Sequence, residues 1–296
     1  DTPGTDNDAN RVENCDIRKA QIGIATRGAS VANKNTGTVL TRNLLNSAGA
    51  NGLGRGGILA AFEDGIQITE NAIGGIVSAG GGDLFGISVG GLTTWTNATT
   101  AGGSEVSNAI VTRNAIGAVQ QTGGLSAAGI VVAPATTGTT TLANNFVSGV
   151  AANGTAGEFG AGILLIDSGT DSATRIYANS VALTGTFGGG DQGQFALAVN
   201  GSNPSLDVRD NLLLDTQATG AANTSYAIGL GYASFTNLTS NFNDLFVSAG
   251  GNFSLGRTGS LAPAGGTDLA TLAAWQGATG KDAASLAADP LFVSAT

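Results

Sequence analysis

The sequence predicts one all-β domain: a single-stranded right-handed parallel β-helix (solenoid) of about 7–9 coils with a short C-terminal helix. Three observations predict it. An asparagine-centred motif returns about every thirty residues, and a short apolar motif returns in step with it. The 296 residues include 48 Gly, only 5 Pro and 11% charged residues, the composition of many short strands joined by turns rather than of helices.

The first motif is aliphatic, two variable residues, Asn, one variable residue, aliphatic. It occurs at Asn43 (LTRNLL), Asn71 (ITENAI), Asn114 (VTRNAI), Asn145 (LANNFV), Asn179 (IYANSV) and Asn211 (VRDNLL). A seventh copy at Asn241 (LTSNFN) keeps Leu238 but carries Asn243 where the second aliphatic belongs. Successive asparagines are 28, 43, 31, 34, 32 and 30 residues apart. The second motif is a short strand opened by Gly or Ala: Gly57, Gly86, Gly129, Gly162, Ala196 and Ala227, with an earlier coil around Gln21–Ile24.

Side chains alternate along a strand, so Ile68, Ile73 and their equivalents point inward on either side of a turn. Asn is placed at the bend because it tolerates the left-handed conformation better than other non-glycine residues. Stacking then sets Asn43, Asn71, Asn114, Asn145, Asn179, Asn211 and Asn241 in a ladder of side-chain amides. At about 4.8 Å per coil the rod is on the order of 35–40 Å long. Right-handedness follows from the general preference for right-handed crossovers. Leucine-rich repeats and β-propellers are disfavoured because their consensus patterns are absent.

The whole chain reads as one domain: 1–20 an irregular lead-in or edge coil, 21–250 the Asn-marked coils, 251–296 a helix-bearing tail. Net charge is −9 and the pI near 4.3, with no basic patch, which excludes nucleic acid as a partner. No apolar run reaches eighteen residues, so no membrane insertion is expected. Cys15 is the only cysteine and reads as a small buried hydrophobe. The chain starts at Asp1 and has no Met, as a piece cut from a larger protein would, so neighbouring domains of the same polypeptide are expected partners.

In the tail, Thr267-Asp268 reads as a helix start, followed by an apolar face at Leu269, Leu272 and Trp275 that Gly277 and Gly280 end. Trp275 is expected to pack over the end or side of the stack. The segment LATLAAWQGATGKDAASLAADPLFV resembles the closing segment of large bacterial secreted and cell-surface β-helix proteins of the pectin-lyase-like superfold, with its "L..W....G.D..S...DP.F" pattern. The resemblance implies an extracellular or cell-surface location. It also brings polysaccharide-degrading chemistry into consideration, since many proteins of that superfold act on polysaccharides.

Hydrolysis on such a fold needs paired carboxylates. The local pairs are Glu63-Asp64, Asp207 with Asp210, and Asp167 with Asp171; there is no His to serve as base. Asp210 occupies a turn slot filled elsewhere by Arg42, Glu70 and Arg113, which suggests a solvated face, and no catalytic residue is assigned. Asp83, Glu158 and Asp191 lie at strand lead-ins and form a candidate Ca2+ site if stacking brings them together. The longest coil inserts about a dozen residues between Asn71 and Asn114, making Trp95 and Asn97 the candidate ligand-binding residues on a protruding loop. The leading expectation is a non-enzymatic structural or adhesive module that displays loops to surface glycans or other surface proteins. The alternative is a polysaccharide lyase, a glycoside hydrolase or a carbohydrate-binding domain.

Overall fold

One coil of some thirty residues cannot bury an apolar face by itself; each must lie against the next. The computed structural model, which describes residues 7–91, 105–167, 172–186, 190–217 and 223–292, shows this arrangement: an all-β parallel solenoid of about seven turns with one short helix near its end. A representative turn runs through Gly56–Ala61, Gln67–Thr69 and Ala72–Ser78, one strand in each of three parallel sheets. They are named here by position: the Gly sheet, the pre-turn sheet and the post-turn sheet, the last two flanking the asparagine.

Pairing in register turns the repeat into columns. Inward residues run from Ile24 through Ile58, Ile87 and Ile130 to Ile228 in the Gly sheet. Opposite them lie Leu40, Ile68 and Val111 of the pre-turn sheet and Leu45, Ile73 and Ile116 of the post-turn sheet. All belong to one buried core. The Gly sheet is also buried on its outer face, where Phe85, Val131, Leu164 and Phe195 form a second cluster. There the Phe195 ring stacks on Tyr226 at 4.8 Å and meets Phe159 edge-on at 5.9 Å.

The glycine that opens each Gly-sheet strand marks a close approach. A Cβ on Gly57, Gly86, Gly129 or Gly162 would lie 2.3–2.6 Å from a methyl of Ile73, Ile116, Val147 or Val181, and 2.5–2.7 Å from a carbonyl of the next coil. In the last coils the inward partner is Leu213 or Leu245, without a branch at Cβ, and Ala196 and Ala227 occupy the slot.

The Asn turn differs from expectation in one respect. The left-handed residue is the one before the asparagine: Arg42, Glu70, Arg113, Asn144, Ala178, Asp210 and Phe242 have φ between 52° and 60°. The asparagine is released from bending the chain and spans three coils with its amide. Asn71 Nδ2 donates to Asn114 Oδ1 at 2.9 Å and back to Leu40 O at 3.0 Å, and its backbone N–H donates to the same Asn114 Oδ1 at 3.0 Å. The pattern repeats from Asn43 to Asn211.

The seventh rung is a correction. Asn211 Nδ2 donates to Asn243 Oδ1 at 3.0 Å, so Asn243 rather than Asn241 stands in the ladder. Leu238 imitates the first aliphatic of the motif, but pairing puts Ser240 opposite Val208 and Asn241 opposite Arg209. At the other end Cys15 takes the ladder slot, its N–H donating to Asn43 Oδ1 at 3.1 Å, and its side chain is exposed rather than buried.

The tail also differs from the sequence reading. Thr267–Leu269 is a strand, antiparallel to Phe253–Thr258, that closes the Gly sheet. The helix spans Leu272–Thr279, capped by Thr271 Oγ1, with Gly277 inside it and Gly280 ending it at φ 67°. Trp275 is fully buried against the last coil, and a Cβ on Gly256 would come within 2.3 Å of its ring. Ser285 then occupies the next ladder slot, accepting from Asn243 N–H at 2.9 Å. Asp282 is buried beside it and receives Asn243 Nδ2 at 3.0 Å, Ser285 Oγ at 2.7 Å and Trp275 Nε1 at 2.8 Å.

Candidate functional site

The Gly-sheet strands Leu84–Val89 and Ala127–Val132 pair so that Leu84 faces Ala127, and Ala127 in turn faces Gly160. The residues just before these strands are therefore stacked, which carries Asp83, Ser126 and the Glu158-Phe159 pair to one side of the rod. Ser126 links the three coils: its N–H donates to Asp83 Oδ1 at 3.1 Å, its hydroxyl donates to Glu158 Oε2, and Phe159 N–H donates back to Ser126 Oγ at 3.0 Å.

Asp83 is buried and hydrogen-bonds the half-buried Glu158. Like charges so placed disfavour joint ionisation. Burial raises the Glu158 pKa, and the hydrogen bonds from Ser126 and Asp83 only partly offset that rise. Arg55 contributes a long bond of 3.4 Å from Nε to the Asp83 carbonyl. Sequence reasoning groups Asp83 and Glu158 with Asp191 but misses Ser126, whose signal is its place directly before the third repeat strand.

Asp191 does not join them. Its Oδ1 accepts from Gln192 Nε2 at 2.7 Å and its N–H donates to Gly154 O at 3.1 Å. Among the described residues no three Asp, Glu, His or Cys side chains converge as a metal site. The Asp83–Glu158–Ser126 group thus offers oxygen ligands from three residues, short of the six to eight that calcium takes.

Glu63, Asp64 and Asp207 are engaged structurally. Asp207 accepts from Tyr177 Oη at 2.6 Å and Arg209 Nε at 2.7 Å, while Asp210 sits in the left-handed turn column. That column carries alternating charge: Arg42 reaches Glu13 at 3.2 Å and Glu70 at 3.8 Å, and Arg113 reaches Glu70 at 3.0 Å. Glu63 is buried and accepts from Asn35 Nδ2 at 2.9 Å, whereas Asp64 accepts from Asn108 Nδ2 at 2.8 Å. Glycoside hydrolysis needs carboxyls roughly 5–5.5 Å or 6.5–9.5 Å apart; a pair in hydrogen-bond contact, as Asp83 and Glu158 are, fits neither spacing.

Trp95, Asn97 and Asp171 lie outside the described residues. Asp215 had no sequence signal at all: it ends the post-turn strand Leu212–Asp215 fully buried, and burial raises its pKa well above the usual carboxylate value. No helix among the described residues is long and apolar enough to cross a membrane. Comparison with protein-family models, with curated proteins and with solved structures finds no match to this chain.

Proposed function

We propose that the chain is a non-enzymatic structural or adhesive module of a larger secreted or surface-exposed bacterial protein, a stiff spacer that displays loops for carbohydrate or protein contact. The observation that supports this reading best is the side-chain amide ladder, continuous from Asn43 to Asn243 and terminated by Asp282 and Ser285. Among the described residues this side-chain network runs along the rod axis, which suits length and rigidity rather than a reaction centre. The resemblance of the tail to closing segments of pectin-lyase-like surface proteins agrees with that role. Trp95 and Asn97 remain the contact residues of choice on sequence grounds.

One observation favours the second class, a polysaccharide-acting enzyme: burial raises the Glu158 pKa beside Asp83, the direction in which a general acid is tuned. A turnover screen against uronic-acid and neutral polysaccharides, run with wild type and Glu158→Gln, separates the two. The structural reading expects no turnover in either protein, together with glycan-array or surface-protein binding that Trp95→Ala weakens. Turnover by wild type that Glu158→Gln abolishes would replace it with the enzymatic one.

A further inference from the structure

The two ends of the rod are finished differently. At the C-terminal end Thr267–Leu269 covers the Gly sheet and the Leu272–Thr279 helix seals the core. At the N-terminal end Ile22–Arg27 pairs only with Gly56–Ala61, and among the described residues no strand lies on its other side. Beside this edge opens a cavity of about 490 Å³. Its floor is Val12, Ile24, Leu40 and the buried Thr38; its rim carries Arg11 and Arg27. The Thr38 hydroxyl beneath it is fully buried and has no hydrogen-bond partner among the described residues.

Charge is polarised along the same axis. Seven of the twelve Lys and Arg, but only five of the twenty-one Asp and Glu, fall in the first 55 residues. Arg11 pairs with the half-exposed Glu13 at 2.7 Å. Arg27 lies over the Phe62 ring at 5.2 Å and forms no salt bridge among the described residues.

We propose that this end accepts an extended, acidic strand supplied by another polypeptide. The incoming backbone adds to the Ile22–Arg27 edge, an exposed strand edge being a ready template for pairing. One of its aliphatic side chains fills the cavity over Ile24 and Leu40, and its carboxylates meet Arg27 and Arg11. Charge-assisted contacts of this kind set the preference for an acidic over a basic strand. The inference does not depend on whether the displayed loops bind glycans.

The test uses two fluorescein-labelled peptides of seven residues, alternating Val with Asp or Val with Lys, titrated with the whole chain and followed by anisotropy at low salt. Saturable binding of the Asp peptide, at least tenfold tighter than that of the Lys peptide, is expected. Arg27→Glu should weaken the Asp peptide at least tenfold, while Arg209→Glu, on a distant coil, leaves it unchanged. Hydrogen exchange should slow at residues 22–27 when the Asp peptide binds. Absence of saturable binding, equal binding of both peptides, or protection elsewhere would overturn the proposal. So would binding gained only after removal of residues 1–6, which would make the chain's own terminus the occupant. A dimer that Arg27→Glu dissociates would seat a second copy there and likewise overturn it.

Discussion

The ladder can be interrupted at one rung with a calculable cost. Asn114 is buried and takes part in four bonds of 3.0 Å or less: Asn71 N–H and Nδ2 donate to its Oδ1, and its Nδ2 donates to Ile68 O and Asn145 Oδ1. At roughly 1 kcal/mol net per bond, Asn114→Ala should destabilise by about 4 kcal/mol, since the abandoned partners stay buried. Asn114→Asp keeps the shape and Oδ1 but turns a second carboxylate oxygen toward two acceptors. At pH 7 it should therefore be worse than Ala, because an unpaired buried charge is added to the lost bonds. On acidification its carboxyl protonates and again donates one bond, so its stability should recover toward pH 4. Asn241→Ala is the control: among the described residues Asn241 Oδ1 accepts only from Ala284 N–H at 2.7 Å, and about 1 kcal/mol or less is expected. Equilibrium urea unfolding followed by far-UV circular dichroism at pH 4 and 7 measures all three. If Asn114→Ala costs no more than Asn241→Ala, the ladder contributes no special stability and the reasoning fails.

Three further outcomes follow from the same structure. Gly129→Ala forces a methyl to within 2.4 Å of Val147 Cγ1 and 2.6 Å of Gly162 O, so a loss of about 1–3 kcal/mol is expected in urea melts, against almost none for Gly251→Ala, which has open space around it. Asp282→Asn puts a donor into a pocket where every neighbour donates and should cost about 2 kcal/mol, with Trp275 fluorescence shifting to the red as the cap loosens. Asp215 has its folded pKa raised by burial, so its neutral form is the one the fold accommodates; its contribution is complete below the unfolded-state pKa near 3.8 and is lost as pH climbs through the folded value. Asp215→Asn should then match wild type near pH 4 and exceed it at pH 7–8 in thermal melts, and a variant no more stable at pH 8 would contradict the assignment.

The fold was legible because its determinants repeat. Asn114 and Asn145 look alike in sequence since each must meet the same two neighbours, and the glycines before Ile58 and Ile130 look alike since each faces a branched methyl. What the sequence hid is what one position does once. The left-handed residue before each asparagine may be Arg, Glu, Asn, Ala, Asp or Phe, so no composition signal marks it, and the bend was credited to the asparagine. The last rung was misplaced because Ser240, an inward polar residue, replaces the expected aliphatic; it is tolerated there because its hydroxyl donates to Asp282 Oδ1 at 3.0 Å. At the candidate site, Asp83, Glu158 and Asp191 carry the same lead-in signature, yet only the first two meet. The Asp191 carboxylate accepts from the adjacent Gln192 while its N–H rests on Gly154 of the preceding coil, contacts that spacing cannot reveal.

The direction of the ladder explains why the two ends need different chemistry. Every rung donates toward the C-terminal end, so that end presents an amide donor that must find an acceptor inside a dry core. Asp282 is that acceptor, and the spacing of Trp275, Gly280, Asp282 and Ser285 in the tail is what delivers it: the helix stops at Gly280 and Trp275 Nε1 holds the second carboxylate oxygen. At the N-terminal end the ladder finishes on an acceptor, Asn43 Oδ1, which the Cys15 backbone N–H satisfies. The Cys15 thiol, bonded to Glu13 O at 3.4 Å, cannot pass an amide bond to a further coil, so the ladder ends there, while among the described residues the Gly sheet has a free edge at Ile22–Arg27. A partner at this end has backbone edge, an apolar floor and arginines to meet, but no rung to continue, and those are the requirements of a single added strand rather than of another full turn.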